Sequence, residues 1–374
     1  MTDMNPAVVP ATSSAPSTGG REFSVVQLLL EGRAFFALIA IIAVFSFLSP
    51  VYFSINNFLV MSSHVAIFGL LAVGMLLVIL TGGIDLSVGS TLALSGMVAG
   101  FLMHGVTLEG FGVVLYPPVW AVVVITCVVG ALVGAVNGVL IAYFKVPAFV
   151  ATLGVLYVAR GLALLMTNGL TFNNLRGSVE LGNNGFEWLG FNRLFGVPIG
   201  IWVLIVVAVI ASILLTRTAF GRWIYSTGGN SRAAELSGVP VKYTTVAVYV
   251  LSGACAAIAG LVLSSQLTSA GPTAGTTYEL TAIAAVVVGG AALTGGRGNV
   301  RGTLLGAFVI GFLADGLVLI GVSSYWQTVF TGAVIVLAVL LNSIQYGKRP
   351  PKTTSSGPAK ESASPPSPQT GSSG

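Results

Sequence analysis

Charge is what this sequence has least of. Only 7% of its 374 residues are Asp, Glu, Lys or Arg, while 55% are apolar; ordinary soluble domains carry roughly 25% charge. That scarcity excludes a soluble globular domain and favours an all-α polytopic membrane protein. The net charge of +5 does not mark a nucleic-acid surface, because the basic residues are scattered between long apolar runs rather than gathered in a patch. Cysteine is limited to Cys127 and Cys255, both inside apolar runs, which removes a disulfide framework and a cysteine metal site. There is no phosphate loop: the Gly347-Lys348 pair is followed by Arg349, so any ATP must be hydrolysed by another chain. The glycines at 295–298 miss the dinucleotide fingerprint, since Arg301 stands where its last glycine is needed. A nucleophile elbow and a metal-binding His pair are also missing, so the chain is expected to be no enzyme and to bind no cofactor or metal itself. A proton-coupled carrier would call for chains of carboxylates and histidines, and few are present.

What is present in quantity is hydrocarbon. A membrane helix needs about 20 mostly apolar residues, and ten stretches qualify: 33–49, 58–80, 86–103, 119–142, 148–167, 198–215, 244–266, 280–293, 302–321 and 325–344, the third and eighth being short. The first is read as a retained span rather than a signal peptide, since no small-residue cleavage site follows it before Pro50. Segments 1–32 and 346–374, rich in Ser, Thr, Pro, Ala and Gly, are expected to be disordered cytoplasmic tails around one membrane domain at 33–345. With both termini inside, thirteen Lys and Arg residues fall on the cytoplasmic side and only Arg176 and Arg193 outside, with Arg160 within a span. Shifting the count by one span destroys this asymmetry. The outer loop 168–197, rich in Asn and Gly, is a candidate docking surface.

Within the spans, Gly130, Gly134 and Gly138 recur every fourth residue, as do Gly298, Gly302 and Gly306, a spacing that lets helices approach closely. Two glycine-rich breaks interrupt the apolar pattern, one at 81–90 and one at 289–298. Backbone freed at membrane depth must be satisfied by protein or by a wet cavity, so such breaks tend to lie beside a pathway. Asp85 in the first break also suits a helix cap. Val146-Pro147 and Val239-Pro240 are a second matched pair, and together these features hint at two related halves. Arg160 and Asp315 are charges at membrane depth that require partners, carboxylate or carbonyl, and one is a candidate partner of the other. His64 reads as a hydrogen-bonded core residue. In the cytoplasmic loop 216–243, residues 231–237 are expected to form a short helix, opened by Asn230 or Ser231 and closed by Gly238.

The segments Gly82-Gly83-Ile84-Asp85-Leu86-Ser87-Val88-Gly89, 146–154 with Ala159-Arg160-Gly161, 228–239, and the glycine run 289–302 occur in that order. In them the chain resembles the permeases of ribose, xylose, arabinose and galactofuranose importers, a branch of the ATP-binding cassette superfamily, over about 33–345. That resemblance implies a homodimeric conduit served by a cytoplasmic ATP-binding subunit with two nucleotide-binding halves and by an extracytoplasmic solute-binding protein. It makes 228–239 the segment coupled to the ATPase, through Asn230, Arg232, Ala233, Ala234, Glu235, Ser237 and Gly238. It makes the first break a candidate pathway element: Gly82, Gly83, Asp85, Ser87 and Gly89, joined by Asn137, Thr152, Arg160, Gly289 and Gly290. The implied function is import of a monosaccharide across the bacterial cytoplasmic membrane. The alternatives are another small polar cargo (a nucleoside, a furanosyl signal molecule or a branched-chain amino acid) or a self-sufficient secondary carrier.

Overall fold

The computed structural model describes residues 33–110 and 112–347. The expected tails at 1–32 and 346–374 lie outside the described residues, except that 346 and 347 continue the last helix. The helices are α1 (Arg33–Leu48), α2 (Ile55–Leu80), α3 (Val88–His104), α4 (Val119–Ala142), α5 (Ala148–Leu165), α6 (Trp188–Phe191), α7 (Ile199–Arg217), α8 (Ala219–Gly229), α9 (Ser231–Leu236), α10 (Val241–Leu267), α11 (Tyr278–Val288), α12 (Val300–Leu319) and α13 (Ser324–Gly347). Each expected apolar stretch coincides with a helix. Among the described residues six, α2, α4, α5, α7, α10 and α12, are long and apolar enough to cross a membrane, and shorter apolar runs lie in α1, α3, α11 and α13. Three two-stranded ribbons occupy connections between helices. Helices prevail because a chain in hydrocarbon must satisfy its backbone within itself. Pro118, Pro147, Pro198 and Pro240 stand at the N-caps of α4, α5, α7 and α10, where a missing N–H costs nothing.

The centre of the bundle is α2. In its most apolar stretch 83% of residues are buried, against 22% in α4 and in α5, so α2 is enclosed by its neighbours while α4 and α5 keep an outward face. The ridge of Gly130, Gly134 and Gly138 on α4 lies against α10: a Cβ on Gly134 would collide with the Tyr249 carbonyl, and one on Gly138 would sit 2.7 Å from the Val246 Cα. Backbone lies against backbone here, as small residues in a membrane helix permit.

One span departs from its expected form. The eighth was placed at 280–293, but α11 ends at Val288, and 289–299 is irregular, with Gly290, Gly295 and Gly296 at positive φ. The short helix follows from where it begins. Strand β1 (Phe172–Asn173) pairs with β2 (Ser269–Ala270) beyond the ends of α5 and α10, and from there 271–277 turns back into the bundle. Arg160 donates to the carbonyls of Pro272 at 2.7 Å and Ala274 at 2.8 Å. Gly275 packs on Gly89, and the Tyr278 ring meets Phe68 edge-on at 4.9 Å. Phe68 lies midway along α2, so α11 starts about halfway through the bundle and needs only about 16 Å of helix to reach the far side.

Replacing Gly134 by Ala is expected to destabilise the purified protein by about 1–3 kcal/mol, because backbone cannot move aside as a side chain can. Gly110→Ala, at a position with open space around it, leaves the unfolding temperature in detergent unchanged.

Candidate functional site

The first break begins with α2 closing on itself: Gly82 and Gly83 donate to the carbonyls of Ile79 and Val78, with Gly82 at φ +82°, a conformation that glycine adopts without strain. The chain then turns at Asp85, which is 1% exposed. One carboxylate oxygen accepts from the Ser87 amide at 3.0 Å and the Ser87 hydroxyl at 2.6 Å, and the other from the Ser252 hydroxyl of α10 at 2.9 Å. Asn137 of α4 donates to the Ser87 hydroxyl at 2.8 Å. The carbonyl of Ile84 receives Tyr249 of α10 at 3.2 Å and, more weakly, Thr152 of α5 at 3.4 Å. Three donors on one buried carboxylate offset much of its desolvation, and each comes from a rigid element. Asp85 is not the cap of α3; Ser87 holds that position, and Asp85 instead closes the turn just before it.

The two glycine breaks, far apart in sequence, meet at the end of the bundle that carries most of the basic residues. The Gly296 amide donates to the Leu80 carbonyl at 2.9 Å, and Gly295 lies against Gly82. Helix α8 is seated on both. Gly228 has its backbone against Leu80 and Gly296, so tightly that any side chain would collide, and the Tyr225 hydroxyl donates to the Gly298 carbonyl at 2.8 Å. Burial pushes the Tyr225 phenol above its ordinary value, which keeps it a neutral donor. Nearby, Lys242 lies 5.6 Å over the Tyr143 ring, and Trp223 and Tyr243 line an apolar groove, a mixture typical of the membrane–water boundary.

Beyond that boundary stands α9. Asn230 ends α8 and caps α9, its side chain accepting from the Ala233 amide at 3.0 Å, and Gly238 closes the turn at φ +84°. The short helix expected at 231–237, with Asn230 as opener and Gly238 as stop, is therefore present. Asn230, Arg232, Ala233, Glu235, Ser237 and Gly238 are exposed, whereas Ala234 is 5% exposed and faces back onto the protein. Leu236 is 84% exposed. Sequence reasoning passed over it, although a large apolar residue in a polar loop was a visible signal. It also missed α8 as a helix, and with it Tyr225.

Of the candidate pathway residues, Asp85, Ser87, Asn137 and Thr152 join one buried network, completed by Tyr249 and Ser252, which carried no local signal. Gly89 packs against Gly275 and Glu279, and Gly289 against Gly302. Gly82, Gly83 and Gly290 shape turns. Arg160 lies apart, on α5, bonded to the dipping segment, and its bonds to carbonyls correct the suggestion that it pairs with Asp315. Asp315 pairs with His64 at 3.0 Å; the His64 side chain is 49% exposed, so it is not a core residue. The outer loop is folded down rather than free: Phe186 and Asn183 are buried, Asn183 donates to the Met103 carbonyl, and Ser265 donates to the Phe186 carbonyl.

A bundle of apolar helices with two breaks joined at one end and an exposed helix riding on them is the form of a transporter subunit. A family profile described as branched-chain amino acid transport system / permease component matches residues 54–339, and the chain belongs to this family, the membrane permeases of ATP-binding cassette importers. It is a multi-pass protein of the bacterial inner membrane and a transport component rather than an enzyme. Among its relatives are the ribose import permease of Escherichia coli (strain K12), 43% identical over 327 residues covering 87% of this chain and 98% of that one. The ribose import permease of Bacillus subtilis (strain 168) is 46% identical over 310 residues, covering 82% and 91%. The xylose transport system permease of Escherichia coli (strain K12) is 34% identical over 401 residues, covering 92% and 98%. No solved structure matches the chain significantly.

Ser252→Ala leaves one oxygen of a buried carboxylate without its donor, and the expected cost is about 1–3 kcal/mol. Denaturant unfolding of the purified chain in detergent measures it, and an unchanged midpoint would show that the break does not depend on this bond.

Proposed function

We propose that two copies of this chain form the conduit of a binding-protein-dependent importer for a monosaccharide. A cytoplasmic ATP-binding subunit with two nucleotide-binding halves seats α9, and a solute-binding protein delivers sugar to the outer loop. The cargo assignment is supported by relatives named as ribose and xylose permeases, each aligned over more than four-fifths of this chain. The mechanism is supported by the run of contacts from α9 through Asn230 and α8 to both breaks.

That run is a mechanical link. Exposed Leu236 supplies an apolar anchor for a partner groove, flanked by Arg232 and Glu235. A displacement of α9 passes to α8 because Asn230 is the C-cap of one and the N-cap of the other. Gly228 and Tyr225 carry it to residues 80–82, where α2 stops, and to 295–298, in the break just before α12 begins. ATP-driven closure of the partner then shifts the population between two packings of the inner end, and the sugar follows passively. Weak sugar contacts suit this scheme, since a tight site would not release its cargo inward.

The test is uptake into proteoliposomes holding this chain with its ATPase and binding protein. Leu236→Glu should lower both binding-protein-stimulated ATP hydrolysis and uptake about tenfold or more with the chain still folded in the membrane. Tyr225→Phe should lower the sugar moved per ATP while hydrolysis continues. Unchanged uptake in Leu236→Glu removes the coupling role; uptake by wild-type chain without the ATPase removes the importer itself.

A further inference from the structure

Two kinds of space open into this protein at membrane depth, and they differ in chemistry. A groove of about 640 Å³ between α4 and α5 is walled by Leu94, Val129, Leu132 and similar residues throughout, and suits lipid chains. A cleft of about 410 Å³ between α2, α11, α12 and α13 is different: Phe68 and Tyr278 form one wall, and Thr281, Gln327 and Thr331 stand on others. No Asp, Glu, Lys or Arg is among its lining residues. By contrast the polar groups around Asp85 are buried and largely bonded to one another.

Position and chemistry point the same way. The cleft opens at the first turn of α11, the half-length helix that begins midway through the bundle. Discontinuous helices at this depth are where transporters place their solute contacts. Its volume falls within the range of small-molecule sites, roughly 300–1,000 Å³. The aromatic wall offers a flat apolar face for the C–H side of a sugar ring. Thr331 donates its hydroxyl proton to the Gln327 carbonyl at 2.9 Å, and Thr281 directs its own toward the Thr277 carbonyl at 3.5 Å, so their oxygens keep lone pairs for incoming hydroxyls. Gln327 uses one amide N–H on the Val322 carbonyl at 2.8 Å and holds its carboxamide in a fixed orientation. Such a set fits a neutral polyhydroxylated ring. The lining supplies no charged side chain that would favour an ionised cargo over a neutral one.

We propose that this cleft is the sugar contact site within the membrane, and that Thr281, Gln327 and Thr331 discriminate among monosaccharides after the binding protein has released its cargo. The assignment rests on the importer reading above. The complete importer, with its ATPase and binding protein, is assayed for uptake of D-ribose, D-xylose and D-galactose as probes. Gln327→Ala and Thr281→Val should each change the ratio of uptake rates between sugars by about three- to tenfold, the worth of one hydrogen bond. A second measurement does not depend on those variants folding well: with Cys127 and Cys255 replaced by Ala, a Thr331→Cys chain should be alkylated by a small hydrophilic maleimide more slowly in millimolar sugar than without it. Unaltered ratios together with an unprotected cysteine, in an importer whose wild type transports, overturn the cleft and leave the importer standing. A wild type that moves none of the three sugars overturns the importer reading, and the cleft assignment falls with it.

Discussion

A peptide group inside hydrocarbon has no water to turn to, and every interruption of a helix in this protein is answered by a specific partner. Where α2 ends, Gly82 and Gly83 turn back onto its own carbonyls, Gly296 caps Leu80, and Tyr249 reaches the carbonyl of Ile84. Where the chain dips inward before α11, Arg160 spans two carbonyls. The guanidinium, costly at this depth by itself, is held by the same groups it satisfies. Polar groups from the spans thus serve the breaks, and the breaks define the places where the bundle can rearrange.

Close packing sets the second condition. The bundle has no hydrophobic drive between helices that lipid does not also supply, so it depends on shape. At the α4–α10 seam glycine lets backbones meet, and at Gly228 it lets a surface helix rest directly on the end of α2 and on the second glycine break. The same residue type therefore serves rigidity in one place and transmission in another. The difference lies in what it touches: a continuous helix in the first case, the end of a helix and a glycine break in the second.

Much was legible in sequence because its signals are local or periodic. Apolar length pointed to a helix at each expected stretch, although the eighth stops at Val288, the four-residue glycine spacing marked the α4 seam, and Asn230 with Gly238 bounded α9. The long-range partners of the first break, Ser252 on Asp85 and Tyr249 on the Ile84 carbonyl, were not legible. Ser252 and Tyr249 are ordinary polar residues in an apolar span, more than 160 positions away in the chain, and nothing nearby announces them. The pairing of Asp315 with His64 instead of Arg160 was equally hidden, since composition shows that a buried charge needs a partner without saying which one.

The sequence by itself determined that this is a helical membrane protein, where its spans lie, which end its basic residues favour and that it carries no ATP-hydrolysing motif, because hydropathy, charge bias and short motifs are properties of adjacent residues. Only the tertiary structure decided that α11 starts at half depth, that the two glycine breaks meet beneath α8, and that a hydroxyl-lined cleft opens beside Tyr278. Those features depend on contacts between segments tens to hundreds of residues apart, and such contacts are set by how the helices pack together rather than by any one stretch of chain.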